Sequence, residues 1–288
     1  MSLQAFVNVA EKQSFSVAAE SMHLTQPAIS KRISSLESEL ECRLFDRIGR
    51  QTQLTEAGRA LLPRAQKILT DVQDSKRAMH NLSETIGGKL SIGTSHHIGL
   101  HRLPPTLRQY NLACPDVELD MHFMDSEQAC EAVLHGDLEL GIVTLPPTVN
   151  KPLAHQTLWV DHLQIVVGND HPLQSIKSTD LETLANYPAI LPARGTFTRE
   201  VIETALDSQD IELNVRLSTN YLETIRMMVS IGLGWSVLPQ TMISDDIHAL
   251  NVSHLTLSRP LGIVRHTERT LSNAALALTK MLSQNSQQ

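Results

Sequence analysis

Apolar positions in the first sixty residues recur at helical rather than strand spacing. Leu3, Phe6, Val7 and Ala10 mark one short helix, and Phe15, Ala18, Ala19 and Met22 a second. Ile29, Ile33, Leu36 and Leu40, spaced by four, three and four, predict a third, with Gln26, Ser30, Lys31 and Ser34 on its opposite face. Thr25 stands where an N-cap belongs, and Pro27 at about the first helical position, where a missing N–H costs nothing, so this helix is expected to begin near Gln26. The small alanines allow a close crossing, and only Met22-His23-Leu24-Thr25 separates the two helices, as a helix-turn-helix requires. Such a unit can present the start of its second helix to the major groove of double-stranded DNA. Gln26 would read a base edge there, beside Pro27, while Ser30 and Lys31 meet bases or phosphates.

Next, Leu44-Phe45 forms an apolar anchor, and Asp46 to Thr55 reads as a hairpin with Gly49 at its tip, a wing. Arg47 and Arg50 would lie along the DNA backbone or reach into the minor groove, whose negative potential favours Arg; the plainer alternative is a solvated hairpin with two cations. From Glu56 to about Ile86 there is no glycine after Gly58, and Ala60, Leu61, Ala65, Ile68, Leu69, Val72 and Leu82 approximate one helical stripe. Pairing with a second copy would bury that stripe, the alternative being packing on the chain's own following domain. Gly87-Gly88 then ends the helix.

Beyond Lys89 strand and helix patterns alternate, the signature of a parallel α/β sheet. Strands at Leu90–Thr94, Val117–Phe123 and Leu140–Val143, with helices at Leu103–Tyr110 and Ser126–His135, make a βαβαβ half. A second set runs through strands at Leu163–Val167, Ala189–Leu191 and Val215–Ser218 and helices at Arg199–Leu206 and Tyr221–Ile231; Leu261–Arg265 and a helix at Leu271–Leu282 return to the first half. Two lobes with a cleft between them are expected.

Composition adds that 288 residues exceed one core, and that 41% hydrophobic with 19% charged residues is ordinary for a globular chain. Neither a run long enough for a membrane span nor a secretory signal is visible, so the cytoplasm is expected, with no membrane partner. Cys42, Cys114 and Cys130 are not paired as C-x-x-C and read as structural thiols. Net charge is −7, split unevenly: residues 1–86 hold eleven Lys or Arg against ten Asp or Glu, the remainder thirteen against twenty-one. The acidic part is unsuited to DNA, and the first part is only weakly basic, so useful affinity calls for two copies side by side.

The run Ser14-Phe15, Ala18-Ala19, Gln26-Pro27-Ala28-Ile29-Ser30, Leu36-Glu37, Leu40, Leu44-Phe45-Asp46-Arg47, Arg50 and Leu54-Thr55-Glu56-Ala57-Gly58 resembles the LysR-type transcriptional regulators, as does Ser230 to Pro239 further on. The resemblance covers nearly the whole chain. It implies a winged helix-turn-helix DNA-binding domain (1–58), a dimerising linker helix (59–86) and an effector domain (87–288) similar to periplasmic solute-binding proteins, with lobe I at 87–161 and 266–288 and lobe II at 162–265. It also implies DNA contacts at Gln26, Pro27, Ser30, Lys31 and Arg50, a dimer of dimers, and RNA polymerase as a candidate partner. Cys42 departs from the glycine the family uses to end the recognition helix, and the chain begins a few residues short of the usual start, which leaves room for a start codon upstream of Met1.

Ligands of open α/β sheets lie beyond the carboxyl ends of strands. Three such points are Thr94-Ser95-His96-His97, Thr144 and Gly195-Thr196-Phe197-Thr198-Arg199. Their hydroxyls, amides and a cation suit a small organic carboxylate or inorganic oxyanion, unless Ser95 and Thr198 are plain N-caps. The resemblance places Ser95, Thr144 and the Thr196–Thr198 loop at an effector site. His96, His97 and His101 show no third metal ligand at a telling spacing, so a histidine cluster without metal is expected. G-x-S-x-G, paired carboxylates in context and G-x-G-x-x-G are missing, and Gly232-x-Gly234 reads as a tight turn, so neither an enzyme nor a cofactor is expected. Two readings remain: an effector-switched transcription factor, and a small-molecule binding protein whose first unit serves assembly or non-specific DNA compaction. Effector identity, operator and the sign of regulation are not legible in the sequence.

Overall fold

The computed structural model describes residues 2–48, 51–82, 85–148, 151–176, 178–206, 213–252 and 255–286. The chain divides into two compact units, residues 1–82 and 83–288.

In the first unit α1 (Ser2–Lys12), α2 (Phe15–Ser21) and α3 (Gln26–Glu39) precede a two-stranded wing, β1 (Phe45–Ile48) with β2 (Gln51–Leu54), and a long α4 (Glu56–His80). The stripes meet as their spacing predicts: Phe6, Val7, Ala18, Ala19, Ile29, Ile33 and Leu36 are buried in one core with Leu44 and Phe45. Phe45 holds the wing to the helices, its ring centroid 5.4 Å from that of Phe6 and 5.6 Å from that of Phe15. From α3, the Glu37 carboxylate accepts the Leu44 N–H at 2.7 Å and that of Phe45 at 3.4 Å, coupling the helix to the wing. Thr55 caps α4, its hydroxyl accepting the Gly58 N–H at 3.0 Å. Gly58 is required by close approach, since a Cβ there would lie 2.2 Å from the Leu44 carbonyl oxygen.

Three expectations change here. Leu40 is the C-cap of α3 and 44% exposed rather than part of the buried stripe. The left-handed residue that ends α3 is Glu41, at φ 52°, and the Cys42 N–H then donates to the Glu37 carbonyl at 3.1 Å, a Schellman closure made without glycine. The long helix stops at His80 with Asn81 as C-cap, not near Ile86: the sequence Ser83-Glu84-Thr85-Ile86 is mostly polar or β-branched and gives a further turn no apolar stripe to bury. Its stripe is also divided. Leu61, Leu62 and Leu69 pack on the core of their own unit, while Ile68, Val72 and Met79 remain 47%, 48% and 65% exposed.

In the second unit β3 (Gly88–Thr94) lies between β5 (Leu140–Thr144) and β4 (Val117–Phe123), all parallel, with α5 (His96–His101), α6 (Pro104–Ala113) and α7 (Ser126–His135) in the crossovers. This is the expected βαβαβ half. β6 is not the short strand expected: it runs over Leu153–Gly168 and pairs antiparallel with an equally unforeseen long β11 (Leu257–His266). The first half of β6, Leu153 to Val160, mixes apolar and polar residues without regular alternation and leaves His155, Gln156, Thr157 and Val160 exposed, which hid it from an apolar pattern. Together these strands cross from one lobe to the other. Leu261 and Ile263 lie in the first lobe's core, so the return crossing comes before residue 266. α8 (Leu181–Ala185), β7 (Ala189–Leu191), α9 (Phe197–Leu206), β8 (Val215–Ser218), α10 (Leu222–Ser230), β9 (Ser236–Pro239) and β10 (Ile247–Leu250) build the second lobe around buried Trp235, and α11 (Asn273–Asn285) closes the first. Cys114 and Cys130 are buried, and burial pushes the Cys130 thiol up to about 12, so it is a packing residue at neutral pH. No helix among the described residues is long and apolar enough to cross a membrane.

Candidate functional site: a DNA-reading face and an interlobe cleft

At the start of α3, Gln26, Pro27 and Lys31 are exposed and Ser30 half-buried, opposite the core-facing Ile29 and Ile33. Thr25 caps through its backbone alone: its carbonyl accepts the Ala28 and Ile29 N–H groups, while its hydroxyl forms no cap bond. Gln26 Nε2 donates to Ser30 Oγ at 3.0 Å, so the two are preset as one polar patch one turn apart. Arg47 is on β1 opposite Thr52, and Arg50 lies outside the described residues.

In the second unit a cleft of about 50 Å³ opens where the lobes meet, room for a few water-sized groups. Ser95, His96 and His97 line it from the first lobe with Ser126 and Thr144, and Thr196, Thr198, Asn220 and Tyr221 from the second. Ser95 is the N-cap of α5. Thr196, not Thr198, caps α9, accepting the Arg199 N–H at 3.2 Å. Thr198 instead accepts a bond from Arg259 Nη1 at 2.8 Å.

Three expected residues are placed elsewhere. Thr94 is fully buried and donates to the Ile142 carbonyl at 2.8 Å, joining β3 to β5. Arg199 is 3% exposed, its guanidinium held by Glu203 at 2.8 Å and by the Pro192 carbonyl at 3.1 Å. Phe197 packs against the first lobe's Ala129–Val133 cluster, and its N–H donates to Glu127 Oε1, so it joins the lobes rather than facing the cleft. The cation of the cleft is Arg259, 4% exposed on β11. Its cross-strand partner Asp161 on β6 accepts from Arg259 Nη2 at 2.9 Å and from Arg102 Nη2 at 2.8 Å. Burial pulls the Asp161 carboxyl upward, but His97 and the two guanidiniums outweigh it and hold the group well below the usual carboxylate range. A lone Arg between apolar strand residues, Leu257-Ser258-Arg259-Pro260-Leu261, is the sequence signal for this hub.

Asp125 and Glu127 also line the cleft. Asp125 accepts from Asn220 Nδ2 at 2.7 Å across the lobes. Burial raises the Glu127 carboxyl above its ordinary value against the opposing bond from the Phe197 N–H. His96 stacks between the lobes, its ring centroid 5.3 Å from Phe123 and 4.8 Å from Tyr221. The cleft therefore offers hydroxyls, one guanidinium and two carboxylates.

Comparison with known proteins matches this division of labour. Residues 1–59 match the bacterial regulatory helix-turn-helix protein, lysR family, and residues 83–287 the LysR substrate binding domain. The uncharacterized HTH-type transcriptional regulator YwqM of Bacillus subtilis is 32% identical over 254 residues, covering 88% of this chain and 86% of its own. A probable RuBisCO transcriptional regulator of Nostoc is 28% identical over 94% of this chain and 84% of its own. Among solved structures, a full-length variant of OxyR from Pseudomonas aeruginosa is similar at a TM-score of 0.71 and 24% identity over 99% of this chain and 93% of its own. Full-length CbnR complexed with its target DNA is similar at 0.64 and 22% identity over 99% and 98%. The effector binding domain of QuiR in complex with shikimate is similar at 0.63 and 16% identity over 70% and 98%. A helix-turn-helix face in one unit and a two-lobed cleft in the other, matched along almost the whole length, make this chain a member of the LysR family of transcriptional regulators, with a DNA-binding and an effector-binding domain.

Proposed function

We propose that this regulator is switched by a small polar molecule carrying a carboxylate or oxyanion end, held between the lobes of its effector domain. The observation that carries this reading is the cleft lining: Ser95, Ser126, Thr144, Thr198 and Arg259 offer donors for an anionic group, and Asp125 and Glu127 accept from hydroxyl or amine groups of the same molecule. The shikimate held by the effector domain of QuiR is a small hydroxylated carboxylate and supports that class. Gln26, Pro27, Ser30, Lys31, Arg47 and Arg50 make the DNA contacts, and the exposed Ile68, Val72 and Met79 of α4 pair two copies, which assemble further into a tetramer. A ligand that bridges the lobes favours the arrangement in which they meet, and only its difference in affinity between arrangements shifts the population.

The test has two arms. A thermal-shift screen of small hydroxylated carboxylates and oxyanions should raise the melting temperature for a subset. Ser95→Ala with Thr196→Ala should then abolish the ligand-dependent change in operator footprint while leaving operator binding nearly intact; unchanged ligand affinity by calorimetry would move the effector site elsewhere. Gln26→Ala should relax discrimination at particular base pairs by on the order of 1–3 kcal/mol. Binding indifferent to sequence in the wild-type chain would favour DNA compaction over operator recognition.

A further inference from the structure

Beside the cleft, three ligand-type side chains from different lobes converge. His97 and His101 are four residues apart on α5, so helical periodicity puts both rings on one face, with centroids 4.9 Å apart. Glu223, in the first turn of α10, reaches them from the other lobe: its Oε1 lies 3.0 Å from His101 Nε2 and 3.6 Å from His97 Nδ1. One ligand atom of each residue lies within 4.8 Å of those of the other two. Bonds of about 2.0–2.1 Å to a tetrahedral ion separate its donor atoms by roughly 3.4 Å, so the cluster needs only small side-chain rotations, and the half-exposed His101 has room to make them.

Two observations distinguish this cluster from an ordinary hydrogen-bonded group. His97 is 4% exposed, yet neither of its ring nitrogens has a hydrogen-bond partner. Buried polar atoms are almost always satisfied, so such a ring stands ready for a ligand. On the far side of the same ring, Asp161 Oδ2 lies 3.6 Å from His97 Nε2 and accepts from Arg259, while Oδ1 accepts from Arg102. That is the outer support of metal-bound imidazoles, in which the N–H of the nitrogen not used for the metal donates a hydrogen bond to a carboxylate, which fixes the tautomer and strengthens the ligand.

We propose that His97 Nδ1, His101 Nε2 and Glu223 Oε1 form a site for a divalent transition-metal ion of the imidazole-seeking class, with zinc as the expected occupant and Asp161 as the outer partner of His97. Two histidines and one carboxylate leave a fourth tetrahedral position open. Because α5 belongs to the first lobe and α10 to the second, the bound ion links them and favours the arrangement in which they meet. The site shares His97 with the cleft wall, and zinc affinity reads it separately from what the cleft binds.

The test uses the full chain, freed of metal with a chelator and titrated with zinc chloride by calorimetry in a competing chelator. One equivalent should bind, the melting temperature should rise with zinc, and cobalt(II) should give the visible bands of a tetrahedral ion. His101→Ala and Glu223→Gln, both at partly exposed positions, should keep the metal-free melting temperature but lose affinity by at least about tenfold and lose the zinc-dependent rise. Equal binding by wild type and both variants would place the zinc on other members of the thirteen histidines and overturn the site. Absence of binding would overturn it too, leaving His101 and Glu223 as a hydrogen-bonded pair. The operator footprint of the zinc-free chain reports separately on the regulatory reading.

Discussion

Single side chains decide much of the local geometry. Glu41 adopts φ 52° to end the recognition helix, a region where an L side chain brings Cβ close to the following carbonyl. Glu41→Gly should therefore stabilise the first unit by roughly 1 kcal/mol, read as a higher urea midpoint with an unchanged m-value. No gain would mean that the extra freedom glycine has in the unfolded chain offsets the relief. In the effector domain the residue that matters is Arg259 rather than Arg199. Both are buried, but Arg199 is spent on Glu203 and the Pro192 carbonyl, whereas Arg259 faces the cleft and is neutralised behind it by Asp161.

Among the elements, α4 shows how one apolar stripe can serve two purposes. Its inner half, Leu61, Leu62 and Leu69, belongs to the core of its own unit, and its outer half, Ile68, Val72 and Met79, faces water. Changing Ile68 and Val72 together to Asp should convert the proposed dimer to monomers by sedimentation, with the helical content of the small unit intact, because a charge is not tolerated in an apolar seam. Leu61→Asp should instead lower that unit's stability. A monomer in the wild-type chain, or a dimer that survives the outer double change, would place the seam elsewhere. The crossing strands β6 and β11 have a comparable double duty, since their ends pack in different lobes while their middle carries the Asp161–Arg259 pair.

Across the whole effector domain, several polar contacts join the lobes: Asn220 to Asp125, Phe197 N–H to Glu127, Arg259 to Thr198, and Glu223 near His97 and His101. Such bonds can exchange with water or a ligand at modest net cost, which suits the proposed parting and meeting of the lobes. The hub is different, because the Asp161 side chain has no exposure and holds two guanidiniums. Asp161→Asn should destabilise the domain by on the order of 3–5 kcal/mol, since it leaves the buried Arg259 cation uncompensated. Equilibrium unfolding of the variant checks this, and a loss under about 1 kcal/mol would show that water reaches the hub.

Local periodicity and turn chemistry determined the helix-turn-helix, the wing, the long helix and the first βαβαβ half, because each is specified by residues within a few turns of one another. The start of α3 at Gln26 and the cap of α5 at Ser95 were readable on the same ground. What depends on distant partners was not. The first half of β6 shows no regular apolar alternation, so its strand form comes from pairing with β11 about a hundred residues on. Which helical leucines face inward, which arginine reaches the cleft, and that Glu223 stands beside His97 and His101 were decided only by tertiary packing. Sequence spacing fixes direction along one element, whereas a ligand set or an ion-pair hub is assembled from several elements whose mutual placement no local pattern encodes.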